Sequence, residues 1–569
     1  RHVLLGGNRL RITDHDNYRA DLPMRSHDGR LTITYNGEIY NHQMLRRQLS
    51  DYDFVTQSDT ETILAAYDKW GVDCVHELEG MFAFCIYDRA NDLCMLARDP
   101  VGQKPLYYYR DPQSLIFCSE IDPLIQNTRR FKSWNRKALQ EYIAQRMILG
   151  EDTHINEIKK LEAGCLMTVT PDGNQFIKRY YTAPVVNQTH NDIAAITEDL
   201  ARQIEQACSR TFALEVPYGH LLSGGIDSTG VLAHAKAHNL DLRSYAIGFE
   251  PFEGENFGIN IAFNEFEHSR FVADFYQTSH TEIRLSAEDY CSYIDQWADI
   301  MGEPLDSSEA PCLYKLFETM REQNERIVFS GSGPDELFDG YGLGPQLADS
   351  TADTICKDYY DRFAWNFSVD MNRLMPGNTT REYVTSKYER FLQPYRAYTN
   401  EPLQLAQLIN LHGRMVDYEF RQMDVLSMRH SIEARAPLAN RPVLDNAFSF
   451  APALKQYHGE DKWIYKQAFR GQLPDRIIDR EKEGFPTPIE CWFTSAYEDR
   501  VRTILDSKSA LSALGIIDQH YLSRIWHQRH PEYRCIDYRL YCLERLLARQ
   551  APYVDDSLSN AQHAITKAG

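Results

Sequence analysis

Residues 216–228 read Val-Pro-Tyr-Gly-His-Leu-Leu-Ser-Gly-Gly-Ile-Asp-Ser. An apolar run predicts a buried strand, the Ser-Gly-Gly turn follows, and a helix opens near Ser228. Adjacent Gly224 and Gly225 let the backbone bend with its N–H groups facing one way, and the following helix adds its N-terminal partial charge. Such a loop can hold a phosphate or pyrophosphate. Ser223 and Ser228 supply hydroxyl donors, and Asp227 supplies a carboxylate for the Mg²⁺ that the anion needs. Taken alone, the same stretch also reads as a turn with no ligand.

A second stretch repeats the design. Phe329-Ser-Gly-Ser-Gly-Pro-Asp-Glu-Leu-Phe-Asp-Gly-Tyr341 again joins a strand to a helix through glycines, and brings Asp335 to the same sheet edge as Asp227. Two carboxylates on one phosphate-binding edge can share Mg²⁺. Neither stretch is a Walker A loop, since Gly-x-x-x-x-Gly-Lys-Ser/Thr occurs nowhere. A dinucleotide fingerprint at Gly331-x-Gly333 fails because Glu336 stands at the third glycine position.

The elements that must position these loops follow from the pattern on either side. From about residue 192, helix and strand alternate: a helix over 192–213, the strand at 216–222, a helix around 228–238 and strand Arg243–Phe249. Helix Phe266–Gln277, strand His280–Leu285, two helices between 287 and 324, and strand Arg326–Phe329 come next. That order predicts a doubly wound parallel sheet, with ligands beyond the C-terminal strand ends. Residues 341–569 read as mostly helical.

Residues 1–181 read as β-rich, with strands Leu31–Tyr35, Phe82–Tyr87, Leu93–Ala97, Pro105–Tyr109 and Leu115–Cys118. A helix is expected over Thr60–Trp70, opened by Asp59. Val3-Leu4-Leu5 is strand-like, and the polar segment Ala183–Asn191 reads as a linker.

The chain has 569 residues, so two large units or several smaller ones are expected. Hydrophobic residues make up 43% and charged ones 25%, which is globular rather than disordered composition. A net charge of −20 argues against nucleic acid and anionic membranes as partners. An anionic substrate must then be met by local cations and dipoles. The 12 cysteines form no Cys-x-x-Cys pair, which suits reduced thiols and a cytoplasmic enzyme. No apolar run reaches membrane-spanning length.

With these stretches in hand, the chain resembles the glutamine-hydrolysing asparagine synthetases of the bacterial B type. The resemblance rests on Tyr35-Asn-Gly-Glu-Ile-Tyr-Asn41, Gly80-Met-Phe-Ala-Phe84, and Arg98-Asp99 with Gly102-x-Lys-Pro-Leu-Tyr-Tyr108. It continues through Leu221-Leu-Ser-Gly-Gly-Ile-Asp-Ser228, Glu303-Pro with Asp306-Ser-Ser308, Ser427-Met, Ser431-Ile-Glu-Ala-Arg435 and Gly484-Phe485.

The resemblance implies an α+β glutaminase sandwich of the Ntn-hydrolase type over 1–181. An α/β adenylate-forming domain of the PP-loop class, with a C-terminal helical portion, would span 192–569. It implies an oxyanion hole for glutamine hydrolysis at Asn36 and Gly37, a catalytic pair that otherwise reads as a hairpin turn. Arg9, Glu38 and Asp59 would bind glutamine, although each in isolation reads as a surface charge. ATP would lie against Leu221, Ser223, Gly224, Gly225, Asp227, Ser228, Ile247, Ser330 and Gly331, with Mg²⁺ on Asp227 and Asp335. Lys462 would offset charge on the reacting phosphate, the other reading being a solvated lysine.

Two departures from the family stand out. Its nucleophile is an N-terminal cysteine, whereas this chain starts at Arg1 and has no cysteine before Cys74. The expectation is a sequence lacking its N-terminal nucleophile segment. Ser332 stands where the family carries glutamate, and a neutral hydroxyl cannot act as that base.

The leading expectation is therefore an ATP-dependent amide ligase, turning aspartate into asparagine through an acyl-adenylate with ammonia from glutamine. Amidation or lactam formation on another carboxylic acid, with Ser332 in the catalytic place, is the alternative. A non-catalytic relative is the third reading, and a homodimer is left open.

Overall fold

The computed structural model describes residues 2–127, 132–185, 192–250, 266–364, 369–482, 498, 500, 502–506, 508–528 and 534–554. The Gly484-Phe485 motif and most of the expected linker lie outside them.

The N-terminal half is built on two antiparallel sheets. The larger runs β1 (Met24–Arg25), β2 (Leu31–Ile39), β3 (Gly80–Asp88), β4 (Leu93–Arg98) and then, across the sheet, β8 (Cys165–Val169) and β9 (Gln175–Arg179). The smaller has β5 (Tyr107–Arg110) between β6 (Leu115–Cys118) and β7 (Ile158–Lys160). Strand β3 shows why its sequence is an unbroken apolar run. Phe82, Phe84 and Ile86 pack with Ile63 and Leu64 of helix α1 (Asp59–Trp70), whereas Ala83 and Cys85 on the opposite face meet Leu106 and Tyr108. Side chains alternate across a strand, so one buried on both faces needs hydrophobic residues throughout.

The C-terminal half carries a five-stranded parallel sheet. Its order is β12 (Ser279–Leu285), β11 (Arg243–Phe249), β10 (Tyr218–Leu221), β13 (Ile327–Phe329), β14 (Glu433–Arg435). The chain winds outward from β10 to β12, then returns to the other side of β10 for β13 and β14. The direction therefore reverses between β10 and β13, and open parallel sheets bind ligands at such a reversal. Helix α2 (Ile193–Thr211) is capped by Asp192 and buries Leu200, Ile204, Ala207, Cys208 and Thr211, the stripe of an amphipathic helix. Helix α3 (Ile226–Ala237) leaves the turn after β10.

Several expectations need correction. Val3–Leu5 joins no sheet, and Leu4 is exposed. Strand β2 does not end at Tyr35 but continues to Ile39, so Asn36 and Gly37 lie inside it, opposite Ala83 and Phe82, rather than in a hairpin turn. Ser58, not Asp59, caps α1 through its hydroxyl. Strand β5 starts at Tyr107 rather than Pro105. The C-terminal portion is mostly helical, yet it also donates β14 to the central sheet and a small hairpin, Gln456–Tyr457 with Glu460–Asp461.

Buried ion pairs join the two halves. Lys104 Nζ lies 2.8 Å from Asp424 Oδ1, Lys160 Nζ 2.6 Å from Asp417 Oδ1, and Lys387 Nζ 2.6 Å from Glu141 Oε2. Glu303 accepts from the Tyr107 hydroxyl at 2.5 Å and pairs with Arg421. Those contacts tie the Gly102–Tyr108 and Glu303-Pro motifs together in space.

Candidate active site

The turns after β10 and β13 meet backbone to backbone. A methyl added at Gly331 would stand 2.6 Å from Ser228 N and 2.7 Å from Asp227 C, so only glycine permits the approach. Gly224 adopts φ +80°, and a side chain there would strike the backbone of His268 at 2.5 Å. The cap residue of α3 is Gly225, which has no side chain to accept from the first N–H groups of the helix. Ser223 Oγ and Ser228 Oγ lie 3.1 Å apart over this helix end, and Gly225 N donates to Ser223 Oγ at 3.2 Å. The result is a donor-rich, glycine-walled pocket suited to an anion. Leu221 and Ile247, both half-buried, sit towards the C-terminal ends of β10 and β11 on the same edge.

His220 fastens this arrangement from below. Its Nε2 lies 2.8 Å from the Ser228 carbonyl oxygen, so Nε2 carries the proton and donates. Burial lowers its pKa to about 4, and its Nδ1 is buried without a hydrogen-bond partner, consistent with a neutral ring.

The carboxylates converge on one cation. Lys462 Nζ lies 2.7 Å from Asp227 Oδ2 and 2.5 Å from Asp335 Oδ1, and Asp335 also pairs with Lys482. Lys462 is 3% exposed, which removes the solvated reading. Although burial opposes it, the charge of Lys462 and Lys482 holds the Asp335 carboxyl well below the usual carboxylate range. Both acids raise the Lys462 ammonium above its ordinary value.

The donor set fits Mg²⁺. Asp227 Oδ1 is buried without a hydrogen-bond partner, and the Lys462 ammonium stands between the two carboxylates where a divalent cation would sit. Among the described residues no three His, Cys, Asp or Glu gather around one point. Two carboxylates suit an ion that keeps several waters and takes its remaining oxygens from substrate phosphates. Ser332 is half-buried in the same turn, its Oγ 3.2 Å from Ser330 Oγ.

In the N-terminal half, β2 brings the glutamine-site candidates together. A methyl on Gly37 would meet Met81 O at 2.1 Å, which explains the glycine inside a strand. Asp59, buried at the start of α1, accepts from the Tyr35 hydroxyl at 2.7 Å and from Ile39 N at 3.0 Å, pinning helix to strand. Glu38 is buried, accepts from Thr13 Oγ1 at 2.7 Å, and lies 3.4 Å from Arg435 NH2. Burial, reinforced by the Asp59 charge, pushes its carboxyl well above the usual range, opposed by Arg435. Arg9 reaches the same place from the other side: its guanidinium donates to the Thr13 carbonyl and to Asp14 O at 3.3 Å. Glu38 and Asp59 are thus not surface charges.

Sequence reasoning assigned no role to Lys482, Thr13, His220 or Arg435. Arg435 alone had a signal, its place in the Ser431–Arg435 motif. Cys74, the first cysteine in the sequence, is fully buried with its thiol pushed up to about 12, which makes it inert as a nucleophile.

The comparisons with known proteins agree with both halves of this geometry. The asparagine synthase family model matches residues 199–545, and the glutamine amidotransferase domain model matches residues 1–181. The chain belongs to the asparagine synthase family. Asparagine synthetase (glutamine-hydrolyzing) 1 of Bacillus subtilis is 29% identical over 545 residues, covering 89% of this chain and 83% of that protein. Asparagine synthetase (glutamine-hydrolyzing) 3 of the same organism is 28% identical over 540 residues, covering 90% and 84%. The asparagine synthetase (glutamine-hydrolyzing) of Asparagus officinalis is 25% identical over 511 residues, covering 84% and 69%. A glutamine amidotransferase domain therefore precedes an asparagine synthase domain, the latter built on the parallel sheet. Among the described residues of this family member, no helix is long and apolar enough to cross a membrane.

Proposed function

We propose that this asparagine synthase-family chain converts aspartate to asparagine, with ATP as the activating substrate and glutamine as the nitrogen source. The observation that carries the proposal is the convergence of Asp227 and Asp335 on Lys462 at the reversal between β10 and β13. The names of the curated relatives support the same substrates.

In this reading residues 1–181 form an Ntn-type glutaminase sandwich, and 192–569 a PP-loop adenylate-forming domain. Glutamine is held by Arg9, Glu38 and Asp59, with Asn36 and Gly37 as its oxyanion donors; one such donor is worth ~3 kcal/mol in a comparable site. ATP lies along Leu221, Ile247, Ser330 and Gly331, its pyrophosphate against Ser223, Gly224, Gly225 and Ser228. Asp227 and Asp335 would hold Mg²⁺, which when bound offsets the pyrophosphate charge. The aspartate side-chain carboxylate attacks the α-phosphorus, forming a C–O–P linkage as the bond to pyrophosphate breaks. Lys462, already buried and cationic, offsets charge at that phosphorus. Ammonia then attacks the acyl carbon, and AMP leaves. The site suits a cytoplasmic biosynthetic enzyme acting on small molecules.

Ser332 favours a second reading. With no carboxylate at that place, the acceptor can be a different carboxylic acid, amidated or closed into a lactam. Pyrophosphate release measured with aspartate and with other acids separates the two. Release with aspartate supports asparagine formation; release with another acid alone overturns it.

A further inference from the structure

Arg435 touches both candidate sites. It ends β14 and is 1% exposed. Its carbonyl oxygen accepts from Ser330 N at 3.0 Å, in the turn that follows β13. Its guanidinium is fixed within the C-terminal half on two sides: Nε donates to Glu433 Oε1 at 2.8 Å, and NH1 to the carbonyls of Thr211 at 3.0 Å and Ala213 at 3.4 Å. The remaining nitrogen, NH2, is buried without a hydrogen-bond partner and stands 3.4 Å from Glu38 Oε2. Tyr40 lies beneath, its ring centroid 5.5 Å from Arg435 Cζ.

A buried guanidinium nitrogen with unspent protons is costly. Its nearest acceptor is a carboxylate whose other oxygen already takes Thr13 Oγ1. The pair is therefore poised short of full contact, and a modest shift of either partner completes a charge-assisted hydrogen bond.

We propose that Arg435 is a positioning residue that couples glutamine binding to nucleotide binding. The proposal rests on the site assignment given above. An ammonium group of glutamine on Glu38 favours the ionised carboxylate, which draws Arg435 NH2 into contact. The same residue holds Ser330 through its main chain, so that contact sets the turn against which ATP lies. The reverse holds too: nucleotide seated on Ser330 and Gly331 fixes the Arg435 backbone and presents NH2 to Glu38. Coupling between two binding sites is reciprocal, and typically amounts to about 5- to 150-fold in affinity.

The test is the dissociation constant of a non-hydrolysable Mg·ATP analogue, measured by calorimetry on the whole chain at zero and saturating L-glutamine. Glutamine should tighten the analogue by about fivefold or more. In Arg435→Lys, which keeps the charge but not the fork, the ratio should fall to about one while both ligands still bind. Should that variant not fold, Glu38→Gln removes the same contact from the other side and should also flatten the ratio. A ratio of one in the unaltered protein, with both ligands bound, overturns the coupling and leaves the functional reading standing. An unchanged ratio in the variants overturns it as well. Failure of either ligand to bind the unaltered protein overturns the functional reading and the coupling with it.

Discussion

Asp227 and Asp335, carried by two turns that are far apart in sequence, grip the same ammonium at 2.7 and 2.5 Å. Only the parallel pairing of β10 with β13 can bring them together, and Gly331 lets the two turns close. The charge balance of the site hangs on Lys462.

Replacing Lys462 with Met should therefore leave two carboxylates facing each other, with Lys482 as the sole remaining cation on Asp335. We expect a loss of about 2–4 kcal/mol in stability, at or below the range for breaking a buried pair because both acids are about a quarter exposed. Pyrophosphate release should fall by about two orders of magnitude or more. Urea denaturation together with the pyrophosphate assay checks both. Near-normal activity would remove Lys462 from the site.

The crossing of the two turns gives a second expectation. Gly331→Ala places a methyl 2.6 Å from Ser228 N, and overpacking of that kind costs about 1–3 kcal/mol. Nucleotide binding should weaken at least tenfold, because the turns must part. Gly6→Ala, which meets nothing within 4 Å, should change neither quantity. Calorimetric titration with an ATP analogue compares the two.

The state of His220 predicts a pH dependence. Its folded pKa of about 4 lies below the ordinary value of 6.5. Between those values the unfolded chain binds a proton that the native ring refuses. Its contribution is therefore fully present above pH 6.5, declines as pH falls, and is lost by about pH 4. His220→Gln cannot titrate, so the stability gap between it and the unaltered protein should shrink steadily across that window. A gap independent of pH would mean that the native ring accepts the proton.

Much of this was legible beforehand, and the gaps have physical reasons. The βαβ alternation from residue 192 onward was readable because Arg243–Phe249 and the glycine turns punctuate helices of clear period. Strands β8 and β9 were missed because they pair with β4 and with each other across long gaps in sequence. Edge strand β9 also leaves Phe176 and Ile177 exposed, which blurs the alternation. Asn36-Gly37 looked like a turn because local propensity cannot register that Met81 O fills the space a side chain would need. Glu38 and Asp59 looked like surface charges for the same reason: their burial is set by Arg435, Thr13 and Tyr35, all distant in sequence.

The bridges between the halves predict cooperative behaviour. Lys160 and Asp417 are each 5% exposed, so salt should screen them little. Lys160→Met should cost about 3–5 kcal/mol, chiefly by stranding Asp417. Adding Asp417→Asn should restore part of that loss in a double-mutant cycle. Strictly additive costs would show that the pair does not interact.

The central claim is that the edge between β10 and β13 activates a carboxylate with ATP. The most direct measurement supplies Mg·ATP, aspartate and ammonium, and so bypasses the N-terminal half. AMP, pyrophosphate and asparagine should form in equal amounts, and Asp335→Asn should abolish all three together. Formation of ADP and inorganic phosphate instead, or undiminished turnover in Asp335→Asn, would contradict the account.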